Sequence, residues 1–505
     1  MAAATVIDAR KFSTSWIEST QRRRMAVLIC GVIVASLSLI RLVLAFDIAT
    51  VSGFLIWVAL VALIIRPRFG LYTLLGLELG FETASGDQMM TPGGLMNASL
   101  QQSAGFTGLI LVPMEILLLL VTTVWLAGEL MNRYRRVGLR AGDIGKPMFL
   151  FGLLLIVGVV RGLAQEGIFN FAFWESRFLF WMVLCYVLTV NTIRTRGHIN
   201  TLMTLVFVCV AWSAAEGMWR KIALIDNGLL GTIPETYYSH EDVVIWGLLM
   251  MLVFARLAFG GSKWQVLLGP IALIVAGYTM LASERRAGYI AVMIAFGGYA
   301  LVLWVIKRKA FMLIAVPILI GTAIYMPLFW NNTSMLGQPA RAVRSLRNPD
   351  PRDAASNMAR DLEAINVRAT IQSNLLLGVG FGRPFLQIVP IPDISFFPFW
   401  NYEAHHDILW VWMKVGVFGF ILFFIVMCRG LARAAALMRK IRDPDARVFA
   451  SLAMSAILMS LAFCWVDLGL TNPRIPVVLG VMLGGLAVLE RIYLPTPEAS
   501  SSVVG

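Results

Sequence analysis

Between Met25 and Arg491 the sequence is a succession of apolar stretches, each near the ~20 residues an α-helix needs to cross ~30 Å of hydrocarbon. This feature leaves few folds open. The bilayer core has no water to satisfy backbone N–H and C=O groups, so only helices or a closed barrel span it. The stretches are continuous rather than alternating, which selects helices. We read about 14 spans, at 25–45, 46–65, 69–81, 109–130, 147–160, 173–190, 199–219, 241–260, 264–282, 287–306, 310–329, 406–428, 448–469 and 475–491. The expected fold class is an all-α polytopic membrane protein. Residues 1–24 form an expected cytoplasmic N-terminal segment, 25–491 the transmembrane domain, and 492–505 a disordered cytoplasmic tail. Composition agrees: 59% of residues are hydrophobic and 14% charged, against about 25% charged in soluble domains. That balance excludes an ordinary cytosolic protein and a disordered chain. Cys30, Cys185, Cys209, Cys428 and Cys464 all lie in apolar segments without pairing or metal spacing, and are expected to pack. Met1–Arg24 is polar and basic, and the apolar run behind it lacks a small-residue cleavage site, so no cleaved signal peptide is expected.

The net charge of +13 is informative through its placement. Walking the spans in alternation puts Arg22–Arg24, Arg66/Arg68, Arg133–Lys146, Arg194/Arg196, Lys263, Lys307–Lys309 and Arg429–Arg447 on one side, which the positive-inside bias identifies as the cytoplasm. The basic excess is thereby explained without nucleic acid. The opposite face receives Glu82–Gly108, Arg161–Phe171, Arg220–His240, the turn Ser283–Ala287, the segment Trp330–His405 and the turn Thr471–Ile475. Segment 330–405 is far longer than ordinary connections. It carries seven arginines, six acids, an aromatic cluster between Phe396 and Tyr402 and a helix-like stretch from about Asp353 to Leu377. It reads as an ordered, partly helical external cap.

Ionisable groups within spans are costly and are candidates for function or for pairing between helices. Glu78, Glu115, Glu129, Glu175, Arg177, Glu216 and Asp467 fall in this group, whereas Arg41 and Arg256 lie near span ends and read as snorkelling. On the expected outer face stand Glu284-Arg285-Arg286-Ala287-Gly288, against the positive-inside bias. Asn366-Val367-Arg368-Ala369 and Asn374-Leu375-Leu376-Leu377-Gly378-Val379-Gly380-Phe381-Gly382 follow. The three glycines permit either N–H presentation to an anion or a simple chain reversal. Glu403-Ala404-His405-His406-Asp407 opens the next span, and His240 precedes Glu241 and Asp242 on the same face. No metal site follows, because adjacent histidines diverge on a helix whereas helical zinc pairs use i, i+4 spacing. Asp443-Pro444-Asp445 lies among cytoplasmic basic residues and reads as a solvated loop. Neither a phosphate-binding GxxxxGK[ST] loop nor a Gx[ST]xG nucleophile turn is present.

Three elements taken in order resemble the O-antigen ligase and polysaccharide polymerase (Wzy-type) superfamily of bacterial membrane glycosyltransferases. They are the arginine turn Glu284–Gly288, the cap with Arg368 and Asn374–Gly382, and Ala404-His405-His406-Asp407-Ile408-Leu409 followed by Gly416-Val417-Phe418-Gly419. The likeness covers about residues 265–430, and His406 stands where the family pattern has Asn. The resemblance implies a GT-C-like, metal-independent, inverting glycosyltransferase without cofactor. It would be a multi-pass protein of the bacterial inner membrane, working on the periplasmic face. Its donor would be an undecaprenyl-diphosphate-linked oligosaccharide. The acceptor would be a growing exopolysaccharide or O-antigen chain in a polymerase, or a lipid or protein in a ligase. A flippase and a chain-length regulator are the implied protein partners, alongside membrane lipids. The larger span count favours a polymerase; a transporter or flippase of the same lipid is the reading from another class. In this frame His405 and His406 are the catalytic candidates, with His405 preferred because its helical stripe carries Gly416 and Gly419. Arg286 and Arg368, with Arg285 as substitute for Arg286, are candidates for the donor diphosphate, which a guanidinium fork binds well. Glu403 or Asp407 would orient the imidazole, and His240 would contact the acceptor.

Overall fold

The computed structural model describes residues 66–80, 111–132, 142–226, 238–393 and 397–494; their regular structure is helical, and no strand occurs among them. Two compact units are distinguished, Met1–Leu74 with Glu115–Val137, and Leu75–Met114 with Gly138–Gly505. Helix α1 (Pro67–Gly80) begins in the first and α2 (Pro113–Asn132) lies almost wholly in it. Helix α1 falls on the expected third span. The expected spans 25–45 and 46–65, the segment 1–24 and residues 495–505 lie outside the described residues.

The second unit runs α3 (Gly145–Ala164), α4 (Phe169–Thr192), α5 (Arg196–Trp219, prolonged by a π-turn Arg220–Asp226), α6 (Asp242–Phe259), α7 (Lys263–Ala282) and α8 (Arg286–Ile306). It continues with α9 (Arg308–Phe329), the short α10 (Gln338–Arg344), α11 (Pro351–Ser373), α12 (Asp407–Lys440), α13 (Pro444–Cys464) and α14 (Arg474–Tyr493). Ten of them, α3–α9 and α12–α14, are long and apolar enough to cross a membrane. The protein is a multi-pass membrane protein. The expected fifth span proves to be a full 20-residue helix, α3. Helix α12 starts as expected but continues to Lys440, so much of the basic loop expected at 429–447 is helix.

Helix starts follow local chemistry. Asp350 and Asp443 accept hydrogen bonds from the N–H groups of Asp353 and Ala446, each with a proline at the first helical position, and Thr195 caps α5 through the N–H of His198. The expected solvated loop Asp443-Pro444-Asp445 is therefore corrected. Asp443 caps α13 and lies 3.6 Å from Arg196, while Asp445 binds Arg256 and Asn200. Arg256 is corrected with it: 2% exposed and donating to Gln265 Oε1 at 2.7 Å, it is buried with partners rather than snorkelling.

Contacts sort the connections of this unit onto two ends. Arg433 binds Asp143 and Glu490; Arg491 donates to the carbonyls of Val190 and Ile193; Lys307 donates to that of Ala258. With the Arg196 and Arg256 pairs, these contacts join the start of α3, four inter-helix turns and the end of α14. They are the connections that charge alone grouped together. The cap and the turns α3–α4, α7–α8 and α13–α14 meet at the other end.

Candidate functional site

The cap is built on α11. On one side, Asn366 Oδ1 accepts the N–H groups of Ile388 and Val389 and its Nδ2 donates to Val389 O, all at 2.9 Å. Thr370 Oγ1 accepts the N–H of Leu386 at 2.8 Å. These bonds hold the returning chain so that Ile391 and Pro392 join Ser356, Ala359, Arg360, Glu363 and His405 around a pocket of about 160 Å³. Ligand pockets for drug-sized molecules run to about 300–1,000 Å³, so this one is smaller than such a pocket.

The glycine-rich segment is consumed by the fold, which favours the chain reversal over N–H presentation to an outside anion. Helix α12 breaks at Gly416, whose φ of +69° favours glycine. The break frees backbone groups that the segment then pairs: Val379 and Gly380 donate to the carbonyls of Met413 and Lys414, and Val417 donates to Leu375 O. Phe381 donates to Gly158 O on α3, and Arg161 Nε donates to Gly378 O at 2.6 Å. The one anion met is internal, since Gly382 N–H donates to Glu175 Oε2 at 2.6 Å. Glu175 Oε1 lies 2.5 Å from Lys414 Nζ with both side chains wholly buried, and Lys414 also donates to Arg383 O. A buried ion pair is tolerated when its remaining valences are filled; here they fasten the cap to α4 and α12. The expectation that Glu175 pairs with another helix holds.

His405 is positioned by α11. Glu363 Oε2 accepts the backbone N–H of His405 at 2.8 Å and lies 3.2 Å from its Nδ1. Glu363 is almost buried while the imidazole is one-third exposed and borders the pocket. Its Nε2 has no hydrogen-bond partner among the described residues. Burial pulls the His405 pKa down, but the Glu363 hydrogen bond and charge, with Asp467 beyond, leave it above the ordinary histidine value. His406 does something different. Its Nδ1 accepts the N–H of Leu409 as the N-cap of α12, and its ring packs on Trp465 with centroids 4.5 Å apart. Burial and the nearby Arg368 charge hold its pKa below the ordinary value.

The acids expected to orient the imidazole are occupied elsewhere. Asp407 Oδ2 accepts the N–H groups of Gly469 and Leu470. Glu403 stands near Glu175 and Lys414; burial and the Glu175 and Asp407 charges push its carboxyl well above the usual carboxylate range. The acid that the structure sets against the His405 ring is Glu363, which sequence reasoning missed. A signal existed: Ser356, Arg360 and Glu363 stand at i, i+4 and i+7 and so share one face of α11.

Of the arginines, Arg286 lies 3.3 Å from Asp353 and donates to Ser345 and Asn357, clasping α8 to the cap. Arg285, the adjacent N-cap residue, is half-buried and faces Asp467 and Arg360; burial lowers its pKa. Arg368 is exposed beside His406. Asp467, assigned by sequence to a span, lies beyond the end of α13 at Cys464. Its Oδ1 is 2.9 Å from His240 Nδ1 and its Oδ2 is 3.6 Å from Arg360. Among the described residues no group of three or more His, Cys, Asp or Glu side chains is placed to hold a metal ion.

A search of curated proteins finds no match. Residues 271–424, from within α7 to beyond the Gly416 break, match the family model described as O-Antigen ligase. That range contains the arginine turn, the cap and the two-histidine start of α12. The resemblance to the O-antigen ligase family is thus borne out over these residues.

Proposed function

We propose that this protein transfers an oligosaccharide from undecaprenyl diphosphate to a sugar acceptor on the outer face of the bacterial inner membrane, extending an exopolysaccharide or O-antigen. The observation that carries the reading is the His405–Glu363 pair at a pocket edged by Arg360, on the end of the bundle opposite the basic turns. In an inverting displacement the acceptor hydroxyl attacks the anomeric carbon as the bond to the diphosphate breaks. His405 Nε2 takes the hydroxyl proton, a contribution of ~10²–10⁴ in rate, and Glu363 holds the ring in the tautomer that leaves Nε2 open. Charge developing on the leaving diphosphate is met by guanidinium groups, which are permanently charged and match phosphate geometry. Arg285 and Arg368 fill that role, with Arg360 at the pocket wall, and Arg286 secures the turn that presents Arg285. Arginines supply the positive charge here, so the reaction proceeds without a divalent metal.

Purified protein given a synthetic polyprenyl-diphosphate oligosaccharide tests the reading directly. A ladder of products in EDTA is expected. A single transfer to a lipid or protein acceptor would make the protein a ligase, and activity restored only by Mg²⁺ or Mn²⁺ would refute the arginine mechanism.

A further inference from the structure

His405–Glu363 is not the only histidine–acid pair at this end of the molecule. His240, just ahead of α6, is one-third exposed and has its Nδ1 2.9 Å from Asp467 Oδ1. Asp467 is 4% exposed, and its other oxygen faces Arg360 on α11 at 3.6 Å. Burial alone would raise the Asp467 carboxyl, but the charges of His240, Arg360 and His405 outweigh it and hold the group well below the usual carboxylate range. One buried acid is thus surrounded by cationic or titratable groups from four separate elements: His240, Arg285 ahead of α8, Arg360 and His405. Of the acids following His240 in sequence, Asp242 is engaged by Arg474 and the N–H of Ser239. His240 Nε2 has no hydrogen-bond partner among the described residues.

We propose that His240 is a second catalytic imidazole, placed on the leaving-group side, with Asp467 as the residue that positions it. The proposal rests on the reading that the donor is a lipid-linked glycosyl diphosphate. The arginines around Asp467 favour a phosphate over a neutral hydroxyl as the neighbour of His240, which separates its task from that of His405. The acceptor O–H bond breaks with its proton going to His405 Nε2, and the oxygen pair forms the new bond to the anomeric carbon. The anomeric C–O bond breaks with its electron pair going to the diphosphate. That oxygen accepts a hydrogen bond, then the proton, from the His240 imidazolium Nε2. Water restores the proton to His240 and removes one from His405, so one turnover leaves both rings as they began.

His240→Asn separates this role from a structural tie. The asparagine amide places N–H near the position of Nδ1 and keeps the Asp467 bond, but it has nothing where Nε2 stood. With purified full-length protein and a synthetic polyprenyl-diphosphate oligosaccharide, His240→Asn and His240→Ala should both lose about 10²-fold in kcat. KM for the lipid diphosphate should stay within about threefold in both, because the imidazole acts on the breaking bond and does not hold the donor. Asp467→Asn should lower kcat with KM little changed, and Asp467→Glu, which keeps a carboxylate for Nδ1, should recover part of that loss. A His240→Asn enzyme with kcat within about threefold of wild type, against the ~10²-fold expected of a general acid, would overturn the proposal. If wild type transfers and His405→Ala does not, that failure would fall on His240 alone. Wild-type protein inert toward the lipid diphosphate would instead remove the functional reading and this proposal together.

Discussion

Replacing Glu363 with glutamine perturbs the proposed base without touching it. Glutamine keeps an oxygen for the His405 backbone N–H, now at 2.8 Å, and preserves side-chain volume on α11. What it removes is the negative charge 3.2 Å from Nδ1. Loss of an acid that fixes a catalytic histidine's tautomer costs up to ~10⁴ in kcat in serine proteases. The geometry here is looser and the imidazole one-third exposed, so we expect a loss of about 10²-fold, at the lower end of what general base catalysis supplies. The pH dependence has a definite sign. Glu363 raises the His405 pKa, and transfer needs the neutral ring, so the acidic limb of kcat/KM follows that pKa. Removing the charge should therefore move the limb to lower pH while lowering the plateau. The same linkage acts on stability: the pair stabilises the fold fully below the unfolded histidine pKa and loses that contribution as pH rises through the folded value. Initial rates between pH 5 and 9 on a lipid-diphosphate donor measure both effects. A lowered plateau with an unmoved acidic limb would refute the argument, showing that Glu363 shapes the cap and does not tune the base.

Three further expectations follow from the same geometry. His405→Ala should abolish transfer, whereas His406→Asn, which retains a side chain able to cap α12 and matches the family pattern, should keep much of it; the reverse result would move the base to His406. Lys414→Ala removes the ammonium that pairs with Glu175 in a wholly buried position, a change that costs ~3–5 kcal/mol, read as a lowered Tm in detergent, and Lys414→Met with Glu175→Gln should recover much of it. Gly416→Ala sets a Cβ against Leu376 O at a positive φ, so it should undock the glycine-rich segment and cost activity along with thermal stability, while Gly297→Ala, with open space around the site, should cost neither.

The sequence alone determined the membrane class, most helix positions and which connections lie together, because hydropathy and charge act locally and can be read residue by residue. It also singled out the arginine turn, the cap and the two-histidine helix start, since these depart from the composition around them. Only the tertiary structure decided their partners. Glu363 lies 42 residues from His405, and only the register of α11 against the start of α12 sets it, rather than Glu403 or Asp407, against the His405 ring. The same register puts Asp353 against Arg286 and leaves Arg285 facing Asp467, although neighbouring arginines are indistinguishable in sequence. The glycine N–H groups that could have met a ligand pair instead with carbonyls exposed where α12 breaks at Gly416. Helix propensity and hydropathy are sums over neighbours in the chain, whereas an ion pair or a docked strand depends on two distant surfaces meeting in one register. That meeting is fixed when the whole bundle packs.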